Sequence, residues 1–164
     1  MKIILALLLF LTTTFSFSQN TIPKVLEKLN KKTVPYFTVE ELQSDLNCIL
    51  LDARESKEFN VSHIKGAVNV GFDKFDSKNI TTIAPDKNAK IIVYCSIGVR
   101  SEIIGEKLKK LGYKNVFNLY GGIFEWKNQG QKVMDNKNLE TNNVHTFNKE
   151  WSQYLKVGKK IYEN

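Results

Sequence analysis

A cysteine, a glycine, an arginine and two serines crowd into one short stretch, Cys95-Ser96-Ile97-Gly98-Val99-Arg100-Ser101, directly after the apolar run Ile91-Ile92-Val93-Tyr94. A buried strand ending at Tyr94 and a helix beginning near Ser101 leave the Cys95 thiol at a strand-to-helix turn. There the unpaired N–H groups of the helix's first turn and the positive end of its dipole point back at the loop. Gly98 supplies the left-handed backbone that so tight a turn demands. Arg100 adds a fixed positive charge. Such surroundings lower a thiol below its free pKa of about 8.5 and favour the nucleophilic thiolate. A cysteine kept for packing needs neither the glycine nor the arginine.

Other polar groups gather where apolar runs end. Leu51-Asp52-Ala53-Arg54 is followed by Glu58-Phe59 and then by His63-Ile64-Lys65-Gly66-Ala67-Val68-Asn69, and far downstream Leu119-Tyr120-Gly121-Gly122 precedes Trp126 and Gly130. Taken with the cysteine loop, these blocks resemble, in order, the rhodanese family of sulfurtransferases over residues 33–132. Ser62 stands where that family usually has glycine, and Lys65 where it usually has proline. The resemblance implies an α/β, rhodanese-like fold: a central parallel sheet of about five strands with helices on both faces. It also implies that Cys95 is the catalytic nucleophile and that Ser96, Ile97, Gly98, Val99 and Arg100 form the substrate- and anion-binding loop. Asp52, Arg54 and Glu58 would support the active-site architecture, the His63 block would be a structural turn, and Gly121-Gly122 would pack beside the loop; read without the family, Asp52, Arg54 and Glu58 are a salt-bridge network that holds two loops together.

The implied reaction moves a sulfane sulfur from thiosulfate or a persulfide donor, through a Cys95 persulfide, to a thiol, another nucleophile or an acceptor protein. Loop N–H groups would hold the anionic sulfur and Arg100 the donor's anionic end. No cofactor is called for. Two rivals share the residue types. Cysteine-dependent phosphatases and arsenate reductases also pair a thiolate with an arginine, but with five residues between them where this chain has four. A sulfur-carrying or binding module without turnover would usually lack the cysteine.

The elements that must position Cys95 follow from the apolar pattern. Strands are expected at Cys48–Asp52, Ala67–Val70, Lys90–Tyr94 and Val116–Leu119, mostly as continuous apolar runs that mark burial on both faces. Helices fall between them, which implies right-handed crossovers and a functional crevice beyond the strands' carboxyl ends. Thr38-Val39-Glu40-Glu41 reads as a capping box opening a short helix. Ile104, Leu108 and Leu111 mark a helix from about Ser101 to Leu111 that Gly112 ends. Residues 19–32 read as a helical lead-in containing Val25, Leu26 and Leu29. In the extension, residues 133–164, the polar stretch Asp135–Asn143 reads as a linker. Phe147, Trp151, Tyr154 and Leu155 space an apolar helical face expected to pack back on the domain.

Residues 1–18 are a separate matter. Lys2, the apolar run Ile3–Leu11 and the small residues Ser16 and Ser18 have the form of a signal peptide, so the chain is expected to be exported, periplasmic or secreted. The apolar run is shorter than the ~20 residues of a spanning helix, so no stable membrane insertion is expected after its removal. What remains has the size of one domain. The net charge of +7 comes from lysines spread along the chain without an aromatic-laced basic stripe, which argues against nucleic acid. The two cysteines and two histidines are too dispersed for a metal site. Cys48 opens one parallel strand and Cys95 closes another, about 13 Å apart at ~3.3 Å per residue. That exceeds the ~7 Å Cα limit for a disulfide, so Cys48 is expected to be a small core residue and Cys95 a free thiol.

Overall fold

The computed structural model describes residues 21–162 apart from Leu46, and the expected signal at residues 1–18 lies outside the described residues. Five strands, β1 (Tyr36–Phe37), β2 (Ile49–Asp52), β3 (Val68–Asn69), β4 (Lys90–Tyr94) and β5 (Asn115–Leu119), form one parallel sheet in the order β1-β5-β4-β2-β3. The apolar run Ile91–Tyr94 takes the middle of the sheet, where both faces are covered. All four of its side chains are fully buried. Parallel neighbours need crossovers, supplied by α2 (Val39–Ser44), α3 (Ser56–Val61), α4 (Ser77–Ile83) and α5 (Val99–Lys110), while α1 (Ile22–Leu29) precedes the sheet and α6 (Gly122–Asn128) follows it.

The pleat divides the core in two. Leu50, Ile92, Tyr94 and Leu119 face α1, α2 and α6 through Leu26, Leu42, Ile123 and Phe124. Leu51, Ile91, Val93 and Val116 face α4 and α5 through Ile80, Ile104 and Leu108, and Cys95 continues this side of β4. Each large apolar side chain so buried contributes about 1.5–3 kcal/mol. Local signals agree with this packing. Glu41 N–H donates to Thr38 Oγ1 (3.2 Å) while the Glu41 carboxylate accepts from Thr38 N–H (2.7 Å), which opens α2. A second box, in which Glu55 N–H donates to Glu58 (3.0 Å), opens α3.

Several elements depart from the sequence-based expectation. β1 has two residues, too few to show a pattern. The stretch Asp135–Asn143 is no linker: β6 (Val133–Met134) pairs antiparallel with β7 (Glu140–Thr141), and Asp135 Oδ1 closes the turn by accepting from Lys137 and Leu139 N–H. β8 (Asn143–His145) pairs in parallel with β9 (Lys159–Ile161). The expected helix from Phe147 onward shrinks to one 3-10 turn at Trp151–Tyr154. Phe147 has φ +64, which breaks a helical path at its start, and although Tyr154 and Leu155 join the core, Phe147 stays 51% exposed.

Both cysteines are free thiols. Ile49 sits level with Ile91 and Asp52 with Tyr94, so Cys48 and Cys95 flank opposite ends of the sheet. Cys48 is partly buried at the core's edge rather than inside it, and burial, helped by the Asp45 carboxylate, pushes its thiol up.

Candidate active site

The chain leaves β4 at Tyr94 and turns into α5 within four residues, Cys95–Gly98. Gly98 makes this possible. Its φ is +114, and as the residue capping α5 it moves the helix start to Val99, ahead of the expected Ser101. Gly98 N–H donates to Cys95 Sγ at 3.2 Å. The peptide that follows is pinned from two sides, because Gly98 O accepts from Asn30 Nδ2 (2.9 Å) and from Asn118 Nδ2 (2.8 Å). With its amide nitrogen committed to Gly98, Asn118 presents Oδ1 to Ser101, whose hydroxyl donates to it at 2.7 Å. Ser101 Oγ also lies 3.5 Å from Cys95 Sγ. A hydroxyl has one proton and two lone pairs, so Ser101 can accept from the thiol while bonded to Asn118, or turn its proton to a thiolate.

The loop is held from behind by α6. Ile123 N–H donates to Cys95 O (2.9 Å) and Phe124 N–H to Ser96 O (3.1 Å). A trans peptide points its C=O and N–H in opposite directions, so these bonds turn the Ser96 and Ile97 N–H groups away from α6. The contact leaves no room for a side chain on Gly122, where a Cβ would lie 2.3 Å from Cys95 O.

The three charged residues expected to support the loop fall into two ion pairs, Arg54 with Asp52 and Glu58 with Arg100. Arg54 and Asp52 are fully buried and joined through Arg54 Nε and Nη2, the latter 2.6 Å from Asp52 Oδ2 and also donating to Ser62 O. This pair ties the end of β2 to the turn after α3. Burial opposes the Arg54 charge, but Asp52 holds the guanidinium above its ordinary range. Glu58, also fully buried, takes Arg100 in a bidentate grip, with Nη1 at 2.7 Å and Nη2 at 2.8 Å, and Nη2 further donates to Ser96 Oγ at 3.1 Å. Burial works against the Glu58 charge, yet the Arg100 hydrogen bonds and charge draw its carboxyl below the usual carboxylate range. Arg100, expected to meet the donor's anionic end, spends its charge on Glu58.

Glu58→Gln leaves Arg100 with a neutral partner beside the loop and should destabilise the protein by about 3 kcal/mol, lowering Tm by roughly 6–12 °C. A glutamate in an unfolded chain titrates near ~4.3, and the folded carboxyl titrates lower. The stabilisation from Glu58 is therefore complete above that pH and is lost as pH falls through the folded value. Thermal melts from pH 7 down to 3 should show wild-type stability dropping at the acid end, with a shallower drop for Glu58→Gln. Parallel curves would show that the pair contributes nothing through its charge.

Cys95 is 2% exposed and forms the floor of a cavity of about 220 Å³ whose other walls are Ser96, Ile97, Val99 and Arg100 of the loop, with Leu29, Phe147 and Trp151 above. His63 lies elsewhere, stacked on Phe59 at 4.0 Å and bridged to Met134. Asn30, Asn118 and Ser101 are site residues that sequence reasoning did not single out for a role. Asn118 carried a signal: an amide inside the run Val116-Phe117-Asn118-Leu119 is costly to bury without specific partners.

Comparison with known proteins bears on this arrangement. Residues 38–129 match the family described as the rhodanese-like domain. Over 97 residues the chain is 32% identical to the tRNA uridine(34) hydroxylase of Hamiltonella defensa, a match covering 57% of this chain and 27% of the hydroxylase. This chain thus spans about a quarter of that relative's length. The thiosulfate sulfurtransferase of Pseudomonas aeruginosa superposes with a TM-score of 0.59 at 26% identity, covering 70% of this chain and 22% of that one. A rhodanese-related protein from Thermoplasma volcanium superposes with a TM-score of 0.54 at 25% identity, covering 61% and 97% of the respective chains.

Proposed function

The chain belongs to the rhodanese-like domain family, and from that premise we propose that it is a sulfurtransferase working through a persulfide on Cys95. The observation that carries the reading is the single N–H-backed sulfur, Gly98 N to Cys95 Sγ at 3.2 Å, on the floor of a cavity at the carboxyl end of the central strand. In the first half-reaction the Cys95 thiolate attacks the donor's outer sulfur, a new S–S bond forms, and the donor's own bond to that sulfur breaks. The electron pair leaves with the donor remnant, as sulfite from thiosulfate or as a thiolate from a persulfide. In the second, an acceptor nucleophile attacks the outer sulfur of the Cys95 persulfide and the Cys95 thiolate departs. This is covalent catalysis in two easier steps. Gly98 N–H and the Ser101 hydroxyl offer hydrogen bonds to sulfur when it is anionic, preorganised by Asn30 and Asn118. The leader-like residues 1–18 support a protein that meets its donor and thiol or protein acceptor outside the cytoplasm.

The loop's size separates this reading from phosphoryl chemistry. Four residues between Cys95 and Arg100, with Arg100 turned to Glu58, make a cradle for one sulfur rather than for a tetrahedral phosphoryl group with its own arginine clamp. The wild-type protein should convert cyanide to thiocyanate when given a sulfane-sulfur donor and should not hydrolyse nitrophenyl phosphate. Phosphate-ester turnover, with no sulfur transfer from thiosulfate or organic persulfides, would replace the proposal with a phosphatase.

A further inference from the structure

The upper walls of the Cys95 cavity come from outside residues 38–129. Leu29 ends α1, and Phe147 and Trp151 belong to the segment after β8. Phe147 is the telling residue. It is 51% exposed, so it adds little to the core, yet it is held at φ +64, a conformation rare for a bulky side chain. Its N–H donates to His145 Nδ1 at 3.1 Å, and its ring stands 5.9 Å from the Arg100 guanidinium. A strained, exposed aromatic at a cavity mouth is a feature that the fold does not need.

The cavity is apolar apart from the loop itself. Its one charged wall residue, Arg100, is matched by Glu58. A compact dianion such as thiosulfate would give up water here without meeting an uncompensated cation. An apolar cavity of about 150 Å³ is enough to take up benzene, and this one, at about 220 Å³, has room for a ring and the sulfur it carries.

We propose that the mouth formed by Leu29, Phe147 and Trp151 over Cys95 selects organic sulfane-sulfur donors, in which the transferable sulfur is bonded to a second sulfur that carries an apolar carbon group, over thiosulfate. The proposal rests on the sulfurtransferase reading and specifies its donor. For an arenethiosulfonate, the Cys95 thiolate attacks the terminal sulfur, the bond between that sulfur and the sulfonyl sulfur breaks, and the arenesulfinate leaves with the electron pair. One negative charge remains on the persulfide and one on the sulfinate.

The test compares benzenethiosulfonate, methanethiosulfonate and thiosulfate as donors, with cyanide as common acceptor and thiocyanate as readout. Wild type should favour benzenethiosulfonate over thiosulfate by on the order of tenfold or more in kcat/KM. Intrinsic donor reactivity cancels when the benzene-to-methane ratio is compared between proteins. Phe147→Ala should lower that ratio about fivefold or more, Trp151→Ala should also lower it, and Phe147→Leu should keep most of it. A ratio unchanged in both alanine variants, or thiosulfate used as well as benzenethiosulfonate, would overturn the proposal while leaving the sulfurtransferase reading intact. Thiocyanate from none of the donors would overturn both.

Discussion

Replacing Cys95 by serine is expected to reduce sulfur transfer to below about one-thousandth of wild type, since it removes the nucleophile proposed to carry the sulfur between half-reactions. The fold should hardly notice. Oxygen takes the place of sulfur at nearly the same volume, and Gly98 N–H, now 3.2 Å from Sγ, keeps an acceptor. Although Cys95 is buried at the cavity floor, the exchange should cost less than about 1 kcal/mol, a Tm change within roughly 4 °C. Thiocyanate assays and melting curves on the same preparation check both halves. A variant that kept its turnover would move the nucleophile elsewhere, and the only other cysteine of the chain, Cys48, lies at the far end of the sheet.

Gly122→Ala should damage both stability and activity. The new Cβ would stand 2.3 Å from Cys95 O and 2.8 Å from the Ser96 carbonyl, all rigid backbone, and φ at Gly122 is +55. Overpacking and left-handed strain together should cost about 3 kcal/mol, a fall in Tm of roughly 6–12 °C. The clash acts on the peptides that aim the loop. A displacement of about 1 Å should lower kcat/KM on the order of a hundredfold. Gly112→Ala serves as the control, because φ there is +91 but nothing lies within 4 Å of the added carbon. It should lose only the conformational part, about 1 kcal/mol, and retain activity. Equal behaviour of the two variants would mean that the grip of α6 on the loop does not position Cys95.

The Cys95 loop and the strands that carry it were legible because their signals are local. An apolar run ending at Tyr94, a glycine, an arginine and a helical period are all contained in residues 91–111, and the structure builds β4, the loop and α5 there. Residues joined across the fold were harder to read. Asn30 precedes the cysteine by 65 positions in the chain, and nothing near it foretells that its amide would grip Gly98 O. Arg100 is expected from the sequence to face the donor, but the charge pattern alone does not reveal that Glu58, 42 residues earlier in the chain, claims both of its terminal nitrogens. The C-terminal segment misled for a different reason. Its apolar spacing is helical, yet β8 and β9 pair around it, and the backbone reversal at Phe147 confines the helix to a single 3-10 turn. Tertiary pairing there overrode the local period.

A persulfide on Cys95 adds the mass of one sulfur atom, which the intact mass of the protein reports directly. The reduced chain should be incubated with an organic persulfide or thiosulfonate, separated from the donor and weighed, with Cys95→Ser treated in parallel. The wild type should gain one sulfur atom, located at Cys95 by peptide mapping, lost on addition of cyanide with release of thiocyanate, and absent from the variant. A wild-type mass that stays unchanged with every sulfane-sulfur donor, or an equal gain on Cys95→Ser, would contradict a Cys95 persulfide.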